Sequence, residues 1–411
     1  MKKSQLLNGC VASILLVLLL MTMGSSLVIA ADVCDKKPDL PKCNPVDPPP
    51  DPDPDPEDPG SLCADSGTFF PAFAYVFTGE IFLSNSEGDC TISIHKAEKT
   101  ITGVPSNISY RFYGGPAEGD GHGKIAFAQR DGMVNYTLTE ILLLEFDIEA
   151  GAITTPLPLS PRLIMLEPEG FGNVYAPDLH PDGNQVIVTA YEPGEVRGYI
   201  WEFDIPDPGS GYIDSEEDVR ELAYLDVTEH PVENATFHDI RYGMSDQRER
   251  VYFGYGIYPQ RNLSYIEEDE FGNWSLPTVI TERFGGYLGP GSLMEWDYDG
   301  SGPREVMAFT NKVDEGDQIE ILDVDACVDD TRPCVVIEGI EGWDGASFTT
   351  FTDGPLPALL YLHKEDAKNI GFSIRECDLT AALLSTDACY RTVINGIKNP
   401  KRTLYAVDSA D

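Results

Sequence analysis

The chain has 411 residues, with 28 Lys plus Arg against 69 Asp plus Glu and a formal net charge of -41 at pH 7. That balance excludes a nucleic-acid binder built on a basic patch, because a phosphate backbone would be repelled. With 42% hydrophobic and 24% charged residues the chain is equally no acidic disordered protein, since it holds enough apolar surface to offset the entropy of ordering.

At the start, Met1-Lys2-Lys3 is followed by an apolar run from Val11 to Met23 and by Val28-Ile29-Ala30-Ala31. A basic start, a short apolar middle and small residues before a cut predict a signal peptide over 1–30, cleaved after Ala30, and hence a secreted or periplasmic protein. An uncleaved anchor would need about 20 consecutive apolar residues, so no membrane span is expected after cleavage. Lipidation would want a small residue directly before the acylated cysteine, whereas Cys34 follows Val33.

Cleavage removes Cys10 and leaves eight cysteines in neighbouring pairs: Cys34 and Cys43, Cys63 and Cys90, Cys327 and Cys334, Cys377 and Cys389. This suits four local disulfides in an oxidising compartment, although spacing alone does not dictate connectivity. Residues 31–64 read as a Cys- and Pro/Asp-rich tether. Within it, residues 44–60 alternate proline with carboxylates, giving an extended spacer that buries nothing.

Residues 65–411 form the folded body. Short apolar runs recur at Ala72–Val76, Lys124–Ala128, Gln185–Thr189, Arg250–Phe253, Glu305–Phe309, Ala358–Leu362 and Thr403–Val407, at steps of 45 to 65 residues. A second apolar strand follows each of the first six: Ile81–Leu83, Ile141–Phe146, Tyr199–Phe203, Ser264–Ile266, Ile319–Leu322 and Ile370–Ile374. Each pair reads as a hairpin. Turns at Asp120-Gly121, Asp182-Gly183, Ser245-Asp246, Asp299-Gly300 and Asp353-Gly354 precede five of the first strands, where Asp and Gly let an inner strand reverse into the next. Strand-only repeats of this size point to a propeller of four-stranded antiparallel blades.

The segment from Tyr175 to Val188, with its Pro181-Asp182-Gly183 turn, resembles the Pro-Asp-Gly repeat of TolB-type β-propellers of secreted bacterial proteins. His180 stands where that family usually has Ser, and the other blades match only through their Asp turns and spacing. The resemblance implies an all-β, six-bladed propeller over roughly 65–411. The unpaired run Thr403–Val407 is expected to enter the first blade as its missing inner strand and so close the ring.

For chemistry, Asp297, Asp299, Ser301 and Glu305 place side-chain oxygens at positions 1, 3, 5 and 9 of a glycine-bent loop, with the Pro303 carbonyl at 7. That pattern suits calcium and is similar to the calcium loops of integrin-type repeats; the same segment is also an ordinary blade turn. Of the six histidines, His122, His180 and His238, with Asp239, could converge near the axis as a metal or acid–base site. Ser93-Ile94-His95-Lys96 fits S-x-x-K only on a strand. No G-x-S-x-G, H-E-x-x-H or phosphate-binding loop occurs. The reading therefore favours a monomeric, non-catalytic binding module with a protein or carbohydrate partner. The alternatives are a metal-dependent polysaccharide lyase or hydrolase, or a calcium-dependent adhesion protein.

Overall fold

The computed structural model describes residues 71–77, 79–96, 106–115, 120–129, 140–192, 197–226, 236–245, 248–257, 260–281, 290–313, 316–329, 332–342, 344–349, 357–365, 371–398 and 405–409. Cys34, Cys43 and Cys63, the leader and the tether lie outside them.

Blade 1 contains β1 (Phe73–Phe77), β2 (Glu80–Ser84) and β3 (Thr91–Lys96). In blade 2, β4 (Ser106–Gly115), β5 (Asp120–Gln129) and β6 (Glu140–Glu149) are followed by β7 (Ala152–Ile153) and β8 (Arg162–Leu166), which both pair with β6. That sheet thus has five strands rather than the expected four, because ten-residue β6 offers an edge long enough for two short partners. Blade 3 holds β9 (Asn173–Leu179), β10 (Gln185–Glu192), β11 (Arg197–Asp204) and β12 (Arg220–Asp226). Blade 4 holds β13 (Thr236–Ser245), β14 (Arg248–Ile257), β15 (Gln260–Glu267) and β16 (Thr278–Thr281). Blade 5 holds β17 (Pro290–Trp296), β18 (Arg304–Val313), β19 (Gly316–Asp323) and β20 (Val335–Glu341), with the short helix α1 (Val324–Asp329) after β19. Blade 6 holds β21 (Asp344–Thr349), β22 (Ala358–Lys364), β23 (Gly371–Asp378) and β24 (Arg391–Lys398). The last strand, β25 (Tyr405–Ser409), pairs antiparallel with β1 and completes blade 1.

One strand of each blade faces the axis. These strands touch in the closed order β25, β4, β9, β13, β17, β21 and back to β25, which makes the fold a six-bladed propeller. Six apolar clusters fill the six seams between blades. The continuous apolar runs follow from this arrangement. Along β18, Met307 and Phe309 enter the seam with blade 4, while Val306 and Ala308 enter the seam with blade 6. A strand buried on both faces cannot alternate polar and apolar residues. Each large side chain fully withdrawn from water in such a seam contributes about 1.5–3 kcal/mol.

The Pro181-Asp182-Gly183 segment forms the turn between β9 and β10, with Gly183 at φ 77° and its N–H donated to His180 O at 2.8 Å. The Asn184 N–H is capped by Asp182 Oδ1 at 2.9 Å. Asp299-Gly300 likewise lies in a turn, with Gly300 at φ 77°. Asp120-Gly121 does not: both residues belong to β5, paired with Gly115 and Gly114. A Cβ on Gly121 would lie 2.3 Å from the Phe112 ring, so this glycine serves close packing rather than chain reversal. Asp246 and Asp353-Gly354 lie outside the described residues. Two expected disulfides form, Cys327–Cys334 and Cys377–Cys389, and Cys90 is also disulfide-bonded.

Candidate functional site

Among the described residues, a connected group of titratable side chains lies in the seam between blades 3 and 4. The β9–β10 turn carries His180, whose Nδ1 is 2.8 Å from Asp182 Oδ1 and whose Nε2 meets the Glu249 carboxylate on β14. The imidazole stands edge-on to Tyr242 of β13, with ring centroids 4.8 Å apart at 86°. Tyr242 donates its hydroxyl to Glu202 Oε1 on β11 at 2.9 Å. Arg220 of β12 donates to Glu202 Oε2 at 3.3 Å and to Gly272 O at 2.8 Å, and also pairs with Glu268, whose backbone N–H donates to Glu249 O at 3.0 Å. Asp182, His180, Glu249, Glu268, Arg220, Glu202 and Tyr242 thus form one connected network.

Environment drives these groups apart. Burial alone would lower the His180 pKa, but hydrogen bonds to Glu249 and Asp182 outweigh it and hold the imidazole protonated above its ordinary range. The His180 hydrogen bond in turn lowers Glu249. Burial raises Glu202 despite its bonds from Tyr242 and Arg220, and raises Tyr242 well above 10. A raised carboxyl beside a lowered one is the division of labour that acid–base chemistry uses. Glu202 is only 3% exposed, and both His180 nitrogens face carboxylates, with the Asp182 N–H also 3.1 Å from Nδ1.

Of the other histidines, His122 stands apart from this network. His122 Nδ1 lies 2.7 Å from Asp147, and its Nε2 is 3.9 Å from Glu145. It therefore shares no carboxylate with His180. His95 and His363 are buried on β3 and β22, with His363 Nδ1 3.1 Å from Glu341 O and burial lowering His95. His230 and the side chains of His238 and Asp239 lie outside the described residues. Tyr252 and Phe253 of β14 fill seams.

In the Asp297 loop, Asp297 Oδ1 accepts from Gly302 N at 3.0 Å and Asp299 Oδ1 from Ser301 N at 2.9 Å. The Arg304 guanidinium lies 3.2 Å from Asp299 Oδ2 and also meets Ser301 Oγ. Pro303 is exposed at the entry to β18. Glu305 points away from the loop into the seam with blade 4, where it meets the Tyr252 hydroxyl and lies 3.4 Å from Arg250 Nη1. Among the described residues no group of three or more His, Cys, Asp or Glu side chains is arranged to hold a metal ion.

Burial raises Glu305 to about 7, against hydrogen bonds from Tyr252 and Arg250 that favour the ion. The group is protonated in the fold over a range where the unfolded chain ionises it. Stability is therefore full below about 4.5 and declines as pH rises toward about 7, by roughly 3 kcal/mol. Glu305→Gln, which mimics the neutral acid, is expected to remove that decline. Urea denaturation of both proteins from pH 4.5 to 8 checks this; parallel curves would refute it.

Two features escaped sequence reasoning. Asp178 on inner strand β9, only 1% exposed, accepts from Ser109 Oγ of β4 at 2.7 Å, Tyr242 N of β13 at 2.7 Å and Arg241 Nη1 of β13 at 3.3 Å. It ties three inner strands together. In addition, a carboxylate late in the third strand meets an arginine in five blades: Glu145 with Arg162, Glu202 with Arg220, Glu267 with Arg250, Asp323 with Arg332 and Glu376 with Arg391, at 2.7 to 3.3 Å. These carboxylates recur at steps of 53 to 65 residues, in parallel with the apolar runs. Aligning the runs would have exposed them, but among 69 acids they do not stand out.

No protein-family model and no curated protein matches the chain. Among solved structures it is similar to TolB from Acinetobacter baumannii, with 14% identity and a TM-score of 0.47 over 84% of this chain and 67% of that one. It is also similar to an α-L-arabinofuranosidase from Lactobacillus brevis, with 15% identity and a TM-score of 0.40 over 73% and 95% of the two chains. An α-L-arabinanase from Penicillium chrysogenum follows with 9% identity and a TM-score of 0.44 over 74% and 83%. Likeness at this level carries nothing about activity.

Proposed function

We propose that this chain is a secreted or periplasmic, non-catalytic binding module whose ring presents its loops to a protein or carbohydrate partner. The observation that supports it is the engagement of His180: Nδ1 is held by Asp182 within its own turn and Nε2 meets Glu249 of the next blade, tying blades 3 and 4. The disulfides suit an oxidising compartment, and a net charge of -41 steers cationic partners toward the ring. Among the described residues no helix is long and apolar enough to cross a membrane. For Asp297, Asp299, Ser301, Pro303 and Glu305 to hold calcium together, Arg304 would have to leave Asp299 and Glu305 would have to leave Tyr252. Calcium therefore forms no part of this proposal.

A hydrolase is the second reading, favoured by one observation: Glu202 is raised while Glu249, in the same network, is lowered. Affinity electrophoresis of the mature protein in neutral and cationic polysaccharides, with reducing ends assayed in the same samples, separates the two. Retarded migration without new reducing ends is the expected result. Sustained release that disappears in Glu202→Gln would replace the binding module with the hydrolase.

A further inference from the structure

A cleft of about 240 Å³ opens between blades 2 and 3, apart from the His180 network. Its inner lining holds Lys124 and Arg162 together with Glu145, which pairs with both. Lys124 of β5 donates to Gly183 O at 2.7 Å and lies 3.8 Å from Glu145. Arg162 of β8 donates through Nη1 to Pro206 O at 2.7 Å and through Nη2 to Glu145 Oε2 at 3.0 Å. The Arg162 Nε–H is buried and has no partner among the described residues.

The rim has the opposite character. Asp204, the last residue of β11, and Asp207, on the segment that follows, line the cleft, and both are exposed. Asp204 Oδ1 accepts from Gln185 Nε2 at 3.0 Å, while Ile205 and Pro206 give the wall apolar surface. The segment is held in place by Ile205 N donating to Asn184 O at 2.8 Å and by the Arg162–Pro206 bond, so the rim is preorganised.

From this polarity we propose that the cleft binds a small zwitterion of the α-amino-acid class, its carboxylate on Arg162 and Lys124 and its ammonium on Asp204 and Asp207. A simple cation would bring no acceptor to Lys124 and Arg162, of whose two charges Glu145 balances only one. A simple anion would have to pass the two rim carboxylates within the field of a strongly acidic protein. A molecule carrying both charges satisfies inner lining and rim together, and a volume below that of drug-sized pockets suits an amino acid with a small apolar side chain. This goes beyond the binding-module reading and holds whether or not the ring engages a macromolecule.

Isothermal titration of the mature protein with L-alanine and L-proline, beside acetate and methylammonium as single-charge halves, provides the test. Saturable binding of at least one amino acid is expected, with each half ligand weaker by about ten-fold or more. Asp207→Asn and Arg162→Gln are each expected to weaken the amino acid by a similar factor. Asp207 is exposed, so its variant keeps the test valid even where Arg162→Gln disturbs the β8 edge. The proposal is overturned by no saturable signal from either amino acid, by half ligands that bind as well, or by wild-type affinity in Asp207→Asn.

Discussion

Removing residues 405–411 is expected to deprive the protein of its cooperative fold. The deleted segment contains β25, whose Val407, Asp408 and Ser409 pair with Tyr75, Ala74 and Phe73 of β1 and which also packs on β4 and β21. Without it the ring opens at blade 1. A bare inner edge is then left on β1, where Phe73, Ala74, Tyr75 and Val76 are all buried in the intact ring. An apolar strand with unpaired N–H and C=O groups is a template for intermolecular pairing. The truncated chain should therefore aggregate, or remain soluble with a melting temperature lower by about 10 °C or more. Size-exclusion chromatography and a circular dichroism melt check this; a monomer melting within about 2 °C of the full chain would show that the closure is dispensable.

Asp178→Ala is expected to cost about 3–5 kcal/mol, the range for removing one partner of a buried charged pair. The change leaves the Tyr242 N–H, the Ser109 hydroxyl and the Arg241 guanidinium without their common acceptor at the meeting point of three inner strands. Asp178→Asn keeps one carbonyl oxygen for these donors and should lose clearly less. Guanidinium denaturation measures both. A loss below about 1 kcal/mol for the alanine variant would mean that the apolar seams hold blades 2, 3 and 4 in register without this carboxylate.

The His180 cluster shows why site chemistry was harder to read than fold. A histidine in a Pro-Asp-Gly turn invites a functional reading, and the turn itself supplies only Asp182. Glu249, the partner that takes the other ring nitrogen, stands 69 residues further along the chain on the next blade. Likewise the Asp297 loop has a cation-binding spacing in sequence. The alternation of side chains along β18 nevertheless sends Glu305 into a seam while Asp297 and Asp299 stay with their loop. Linear spacing contains no information on which face of a strand is already occupied.

The sequence by itself determined the two central strands of each blade and their hairpin order, because a strand buried on both faces must read as an unbroken apolar run and turn residues must punctuate it. The neighbouring pairs Cys327–Cys334 and Cys377–Cys389 were legible for the same local reason. Only the tertiary structure decided which acids meet which bases. Glu202, Glu249, Glu305 and Asp178 each take partners from an adjacent blade, 40 or more residues away, and closing the ring is what brings those blades within hydrogen-bonding distance.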